Sequence, residues 1–485
     1  MYNNSNVLVS GGTSNYIAGD FVQTNRRGFE TLEKYVTPGA LHNSGEVSEQ
    51  PKCHPGTRVA ILEYLEAWGR ALTYIYPIVW LHGPAGSGKS AILRTIAQIF
   101  FEQGLLLASF FFFRSATGRN SSDHFIATIS YQLALSIPLT RPYIEEAMER
   151  NPLIFSLSLW DQAQALVLSP ILAVRRDNPS LDFSQFPRVI IIDGLDECSD
   201  PDKQSRILQV LCRILENLPI PLAVLIASRP EPHIRREFNV PGRLNELSSS
   251  LSLDNSYNPD ADIKKYLEEM FAKVEQEHSP YLPSSPWPPP EVIDKLVAKA
   301  SGQFIYVSTV VKFVSSPRHN PAKRLDIILG MIDAGNLKPF EQLDMLYSTI
   351  FLNITESDPA DVFRILGLLL APYEDGFLKR GRTPGFLERL LNLETGYIRR
   401  LLYDLESLLT MDGGDDRPVR FFHASLSDYL FDSSRSGQFC IDLGMVYADL
   451  AEHCTGHLSK PTDWTGAYSL LSPYSTLIIS NAPHL

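Results

Sequence analysis

The chain carries four apolar runs, at 78–81, 105–113 (broken only by Ser109), 189–192 and 222–227, set between segments whose apolar residues recur at helical spacing. Strands alternating with helices predict βαβ units, an α/β parallel sheet covered by helices on both faces. The run at 105–113 contains small residues and follows a helix-like segment, which suits a strand buried on both sides. Ligands of such sheets bind at the carboxyl ends of the strands. Ahead of the first run, Val59, Ile61, Leu62, Leu65 and Trp68 fall near helical spacing, after a Pro55-Gly56-Thr57 turn predicted to supply the N-cap. Residues 1–50 are rich in Asn, Ser, Gly and Thr without a helical period and are expected to form a poorly ordered leader.

Near residue 251 the strand pattern stops. A helix is predicted over 259–273, with Ile263, Tyr266, Leu267 and Met270 on one face. The stretch 279–290 holds Pro280, Pro283, Pro286, Pro288, Pro289 and Pro290 and reads as a stiff connector. Helical patterns resume at 292–300, 304–314 and 325–331, then at 343–354, 361–370, 386–391 and 398–409. A polar turn at 412–416 and a short strand at 419–422 follow. The last three of these helices and the hairpin-like wing after them suggest a winged helix. No internal repeat of solenoid or propeller length is present.

Composition narrows the picture. The 485 residues exceed one compact core. The net charge of −12 is mild at this length and argues against a nucleic-acid footprint over the whole chain. Five unpatterned cysteines, Cys53, Cys198, Cys212, Cys440 and Cys454, point to reduced thiols and a cytoplasmic setting. The first residues, Met1-Tyr2-Asn3-Asn4-Ser5, lack the basic and apolar regions of a signal peptide. The longest apolar run falls well short of the ~20 residues that span a bilayer, so no membrane partner is expected.

The chemistry gathers at the ends of the predicted strands. Gly83-Pro84-Ala85-Gly86-Ser87-Gly88-Lys89-Ser90 fits the pattern G-x-x-x-x-G-K-[ST], between a strand and a helix. Glycines at 83, 86 and 88 let backbone N–H groups turn onto phosphate oxygens, and the helix beginning at Ala91 points its positive end at the same anion. Pro84, Ala85 and Ser87 complete the cradle. Lys89 is placed for the β- and γ-phosphates and the Ser90 hydroxyl for Mg²⁺. The third run ends in Asp193-Gly194-Leu195-Asp196-Glu197. Asp193 is placed to hold Mg²⁺ through water, and Asp196 or, by preference, Glu197 to activate the attacking water. The fourth run leads into Ser228-Arg229-Pro230, where the guanidinium can meet a γ-phosphate. In Phe421-Phe422-His423-Ala424-Ser425-Leu426-Ser427-Asp428-Tyr429-Leu430, spacing alone reads His423 as structural.

Together these segments resemble the NACHT family of signal-transducing P-loop NTPases, the STAND class, and most closely its fungal set with a nephrocystin-like nucleotide-binding module. The likeness covers about residues 51–435. The P-loop is common to many families; the paired acids after Asp193 are more specific, and Cys53-His54-Pro55-Gly56-Thr57-Arg58 looks like the segment leading into the module. The resemblance implies a linker helix at 51–75, a nucleotide-binding domain at 76–250, a helical lid at 251–335 and a winged-helix domain at 336–435; beyond it, 436–485 reads as a partly helical tail. It implies that Arg229 is a sensor of the γ-phosphate and that His423 contacts the β-phosphate of ADP. It also implies ATP/ADP and Mg²⁺ as cofactors, slow ATP hydrolysis, self-association in the ATP state and an unknown effector protein. The setting would be fungal signalling of the innate-immunity or heterokaryon-incompatibility kind. Relatives carry a Gly-x-Pro motif whose proline packs on adenine; here the place reads Ser301-Gly302-Gln303-Phe304-Ile305, so the base contact is unassigned.

Two other functions fit the same motifs. One is a nucleotide-binding scaffold without turnover. The other is a P-loop phosphotransferase for a small molecule, against which the long helical appendage speaks. His453-Cys454-x-x-His457 lacks a fourth zinc ligand and reads as helix surface. Cys198 has no neighbour that marks a nucleophile. A winged helix can bind DNA, but without a dense basic stripe an intramolecular lid is the preferred reading.

Overall fold

The computed structural model describes residues 28–458 apart from 49, 115, 117, 219, 254–256, 279–281, 283–285, 318, 333–338, 355–357, 373–381, 406, 412–413, 422 and 424. The expected leader at 1–27, the tail at 459–485, Phe422 and part of the polar turn lie outside the described residues.

Five strands, β1 (Ile78–His82), β2 (Leu106–Phe111), β3 (Val189–Asp193), β4 (Ala223–Ser228) and β5 (Ser248–Ser252), form one sheet in the order β2-β3-β4-β1-β5. Every pair is parallel. Each central strand sends alternate apolar side chains to two different cores. Trp80, Ile190, Ile192, Val224 and Ile226 face helices Phe125–Ser136 and Pro201–Asn217. Val79, Leu81, Val189, Ile191 and Leu225 face helices Val59–Arg70 and Lys89–Glu102. Burial on both faces is why these strands read as unbroken apolar runs.

The strands end near residue 251, as the sequence suggests, but the last of them is a fifth strand that the four apolar runs do not announce. β5 reads Ser-Ser-Ser-Leu-Ser, with Leu251 its one buried apolar residue. It pairs residue for residue with β1, Ile78 opposite Ser248 through His82 opposite Ser252. An edge strand needs partners for its backbone more than apolar side chains, so hydropathy gives no signal for it.

Two further differences concern the amino-terminal side. Residues 28–48, expected within a poorly ordered leader, include helices Gly28–Glu33 and Gly45–Ser48. Phe29, Leu32, Ala40 and Val47 are buried against the sheet domain. The Arg141 guanidinium lies 4.0 Å from the Phe29 ring centroid, which holds the first helix in place. Helix Val59–Arg70 is not capped by Thr57, whose hydroxyl instead donates to His54 O at 2.7 Å. Arg58 stands at the cap in the left-handed region, φ 56°, with no side-chain cap bond.

From Pro259 onward the chain is helical, and one hydrophobic core runs from Ile263 to Cys454. Helices Pro259–His278, Pro290–Ala300, Phe304–Val314 and Pro339–Leu352 share it with helices Pro359–Leu370, Pro384–Leu390 and Tyr397–Leu401. The helix expected over 398–409 ends early and becomes a 3₁₀ turn, Tyr403–Leu405. Leu402, Leu405 and Leu408 recur every three residues and are all buried, which suits three residues per turn. Strands β6 (Leu409–Thr410) and β7 (Arg420–Phe421) pair antiparallel, and helix Ser425–Leu430 follows. Helix Leu443–Leu458 packs on Pro359–Leu370, with Val446 against Gly367. Cys454, expected on a helix surface, is buried in this core; His453 Nδ1 lies 2.9 Å from Asp449 O within its own helix. Among the described residues no helix is long and apolar enough to cross a membrane.

Leu32 lies fully inside the sheet domain. Leu32→Ala is expected to destabilise that domain by about 2–5 kcal/mol. A urea titration followed by tryptophan fluorescence should show its midpoint lowered; an unchanged midpoint would mean that residues 28–48 contribute nothing to the fold.

Candidate functional site

Strand order assembles the site. β4 lies between β1 and β3, so the loop after β1, the acids after β3 and Arg229 just beyond β4 meet at one end of the sheet. They line a cavity of about 330 Å³, and His423 lines it as well.

The loop at 83–90 turns by two glycines in the left-handed region, Gly86 at φ +76° and Gly88 at φ +93°. A side chain at position 86 would also collide with Ile305, whose Cγ2 would lie 2.2 Å from the added Cβ. Both constraints demand glycine there. Helix Lys89–Glu102 begins directly after the loop. The Lys89 ammonium donates to Gly83 O and Pro84 O, each at 2.8 Å. Burial pulls its pKa down to about 8, against the pull of Asp196 and Asp193.

Asp193 is 3% exposed and closes β3. Desolvation raises its pKa, while Arg94, a hydrogen bond with Ser90 and Lys89 act to lower it. Its Oδ1 is buried without a hydrogen-bond partner. A buried, unpartnered carboxylate oxygen beside a hydroxyl and an ammonium fits a hydrated Mg²⁺ bound between Ser90 and Asp193.

Glu197 accepts from the Arg114 backbone N–H at 3.1 Å. Burial and the neighbouring Asp196 charge push its pKa up to about 7. Asp196 is buried and accepts from the Arg229 backbone N–H at 2.9 Å, with Arg229 Nε 3.3 Å from its second oxygen. Arg229 also reaches out of the sheet domain and donates to Asp428 Oδ2 at 2.8 Å. Arg114 donates to the other oxygen of Asp428 at 3.3 Å. Burial works against the Arg229 charge, but Asp428 and Asp196 outweigh it and hold the guanidinium above its ordinary pKa.

His423 faces the cavity just after β7. The Ser425 backbone N–H donates to its Nδ1 at 3.0 Å, and Ser425 Oγ lies 2.6 Å from the same atom. Nδ1 therefore carries no proton, and the neutral ring keeps its proton on Nε2. The Ser425 hydroxyl then donates to Nδ1 and takes the Tyr347 hydroxyl, 2.8 Å away, as its own donor. Burial lowers the His423 pKa to about 3, and Arg229 and Lys89 push the same way.

The structure thus brings all the predicted site residues to one place. It adds several that the sequence does not single out. Arg114 and Asp428 form the contact just described. At the far end of the cavity, away from the acids, stand Arg58, Tyr266, Phe304, Ser308 and Lys312. The Arg58 guanidinium lies 5.0 Å from the Phe304 centroid and donates to Ser87 O at 2.9 Å; its backbone N–H donates to Asp262 Oδ2 at 2.9 Å. His54 Nε2 lies 2.7 Å from Glu269 Oε2. Burial alone pushes Lys312 down to about 7. Three segments far apart in sequence build this end; the sequence marks those around Arg58 and Phe304, but not that they meet Tyr266 and Lys312 at one cavity.

Residues 65–229 match the family model described as Nephrocystin 3, N-terminal. No curated protein matches the chain. Among solved structures, the Aeropyrum pernix ORC2 protein in ADPNP–ADP complexes is 12% identical, covering 90% of this chain and 99% of that one, at a TM-score of 0.34. Drosophila ORC bound to DNA is 17% identical over 73% of this chain and 81% of that one, at 0.34. Pyrobaculum aerophilum Cdc6p is 12% identical over 84% and 96%, also at 0.34. Likeness this distant carries nothing about what this chain does.

The raised Glu197 pKa makes a stability prediction. The unfolded chain releases this proton near the ordinary 4.5 and the folded protein near 7. Between those values the folded state binds more protons, so stability is present below pH 4.5 and lost as pH rises to about 7. Glu197→Gln, neutral throughout, is expected to melt higher than the parent at pH 8 and alongside it at pH 4.5; thermal melting of both proteins at both pH values checks this.

Proposed function

We propose that this chain is a nucleotide-operated signalling switch of the NACHT type. Its cavity takes ADP or ATP with Mg²⁺ and hydrolyses ATP slowly. The carboxy-terminal body acts as lid and winged helix, closing over ADP and releasing when ATP binds, after which copies of the chain associate. The observation that carries the reading is Asp193 Oδ1, buried without a partner next to Ser90 and Lys89 in the cavity that His423 closes.

Each residue's role follows from its surroundings. The backbone amides of 83–91 cradle the phosphates. Lys89 turns from the carbonyls of Gly83 and Pro84 to the phosphate chain. Mg²⁺, when bound, neutralises phosphate charge and polarises the terminal phosphoryl group. A carboxylate with a pKa near 7 suits Glu197 to take a proton from the attacking water at neutral pH. Arg229 meets the γ-phosphate, and the Nε2–H of His423 donates to the β-phosphate. The base lies toward Arg58, Tyr266 and Phe304. The match of residues 65–229 to the nephrocystin 3 N-terminal model agrees with this reading. The effector is a protein not yet identified, and the signalling resembles that of fungal innate immunity or heterokaryon incompatibility.

Denaturing the purified protein and chromatographing the supernatant tests the reading directly. Near-stoichiometric ADP is expected. A protein that is empty and takes up no Mg²⁺–ATP would overturn it. Lys89→Ala should weaken nucleotide binding at least about 100-fold, the loss of several charge-assisted hydrogen bonds. Glu197→Gln should keep binding but hydrolyse ATP at least about tenfold more slowly; unchanged turnover would remove Glu197 from the role of base and leave Asp196.

A further inference from the structure

Asp428 lies on helix Ser425–Leu430, outside the five-stranded sheet domain. Its two carboxylate oxygens are taken by two arginines from different strand ends. Oδ2 accepts from Arg229, one residue past β4, at 2.8 Å. Oδ1 accepts from Arg114, three residues past β2, at 3.3 Å. One carboxylate therefore bridges two loops that flank the acids after β3. The Arg229 and Asp428 side chains are only 23% and 19% exposed, so water screens them less than a surface pair.

We propose that Asp428 is the residue that sets the choice between nucleoside diphosphate and triphosphate, by holding the two guanidiniums that a third phosphate needs. The inference rests on the nucleotide reading given above. A diphosphate is held by the loop, Lys89 and His423, and requires neither arginine. A third phosphate extends toward the strand ends, where Asp193, Asp196 and Glu197 already stand. It brings further negative charge into that acidic space, and beyond Lys89 and Mg²⁺ an arginine that turns to it offsets the remaining repulsion. Arg229 is already shared between Asp196 and Asp428. Asp428 and the third phosphate compete for the same positive charge, and the carboxylate must leave for the phosphate to be bound well. The same displacement unfastens helix Ser425–Leu430 from the sheet domain, which couples nucleotide identity to the position of the carboxy-terminal body.

The test compares affinities of the full chain for ADP and for the β,γ-imido analogue of ATP, each with Mg²⁺, by calorimetry on nucleotide-stripped protein. Asp428→Asn is nearly isosteric and removes only the charge. The ratio of the two affinities is expected to shift toward the triphosphate by about tenfold or more, the scale of losing one partner of a partly buried charge pair. Asp428→Ser must shift it the same way, which keeps the test open should the first variant fail to fold. Asp428→Glu, which retains the charge, should stay within about threefold of the parent. A purely structural role would move both affinities together and leave the ratio unchanged. Parent and both charge-removing variants binding the two nucleotides in the same ratio would overturn the inference while leaving the nucleotide reading intact. A parent that binds neither nucleotide overturns both.

Discussion

A carboxylate taken out of water at the end of a parallel strand is costly unless positive charge meets it. Asp193 is in that position, and the surrounding site is a chain of responses to it. Arg94, from the helix that follows the phosphate loop, is the cation that most lowers its pKa. Asp196 and Glu197 follow within four residues, and burial together with the Asp196 charge pushes the Glu197 pKa up to about 7. Arg229 answers Asp196 and still has charge to share, and Asp428 of the carboxy-terminal body takes it up. The two bodies of the protein are thus joined at the cavity by the same charge alternation that begins with one buried acid. Apolar contact adds Ile305, which sits on Gly86.

Much of this was legible in the chain. The phosphate loop, Asp193 and Arg229 are each attached to an apolar run, and a parallel sheet presents the ends of such runs on one side. The sequence therefore predicts that they meet without predicting how. What it leaves hidden has physical reasons. β5 is an edge strand made almost wholly of serine, held by its backbone. Helix Gly28–Glu33 lies in a stretch of polar composition and announces itself only through Phe29 and Leu32. Arg114 and Asp428 are lone charged residues more than 300 positions apart, and only the approach of two bodies makes them a pair. The Phe421–Leu430 segment is recognisable as a motif, but nothing in it shows that Asp428 meets two arginines of the sheet domain.

The carboxy-terminal half shows the opposite balance. Its helices were readily predicted, because each carries an apolar face of regular period. Their division into a lid, a winged helix and a tail is not mirrored in the packing, where one core runs from Ile263 to Cys454. Separating those parts would expose side chains that this shared core now buries. Any rearrangement at the cavity then falls to the polar contacts at its rim, among them Arg58 with Asp262, His54 with Glu269 and Asp428 with its two arginines.

The ring of His423 has a further consequence. Histidine is usually the side chain through which a protein responds to mild acidity. Here Ser425 occupies Nδ1 from its backbone and its hydroxyl, and two nearby cations oppose a second proton. Burial is the largest of the causes that lower its pKa to about 3, so at neutral pH the ring is an uncharged donor, and the cavity wall that it forms offers an N–H rather than a positive charge.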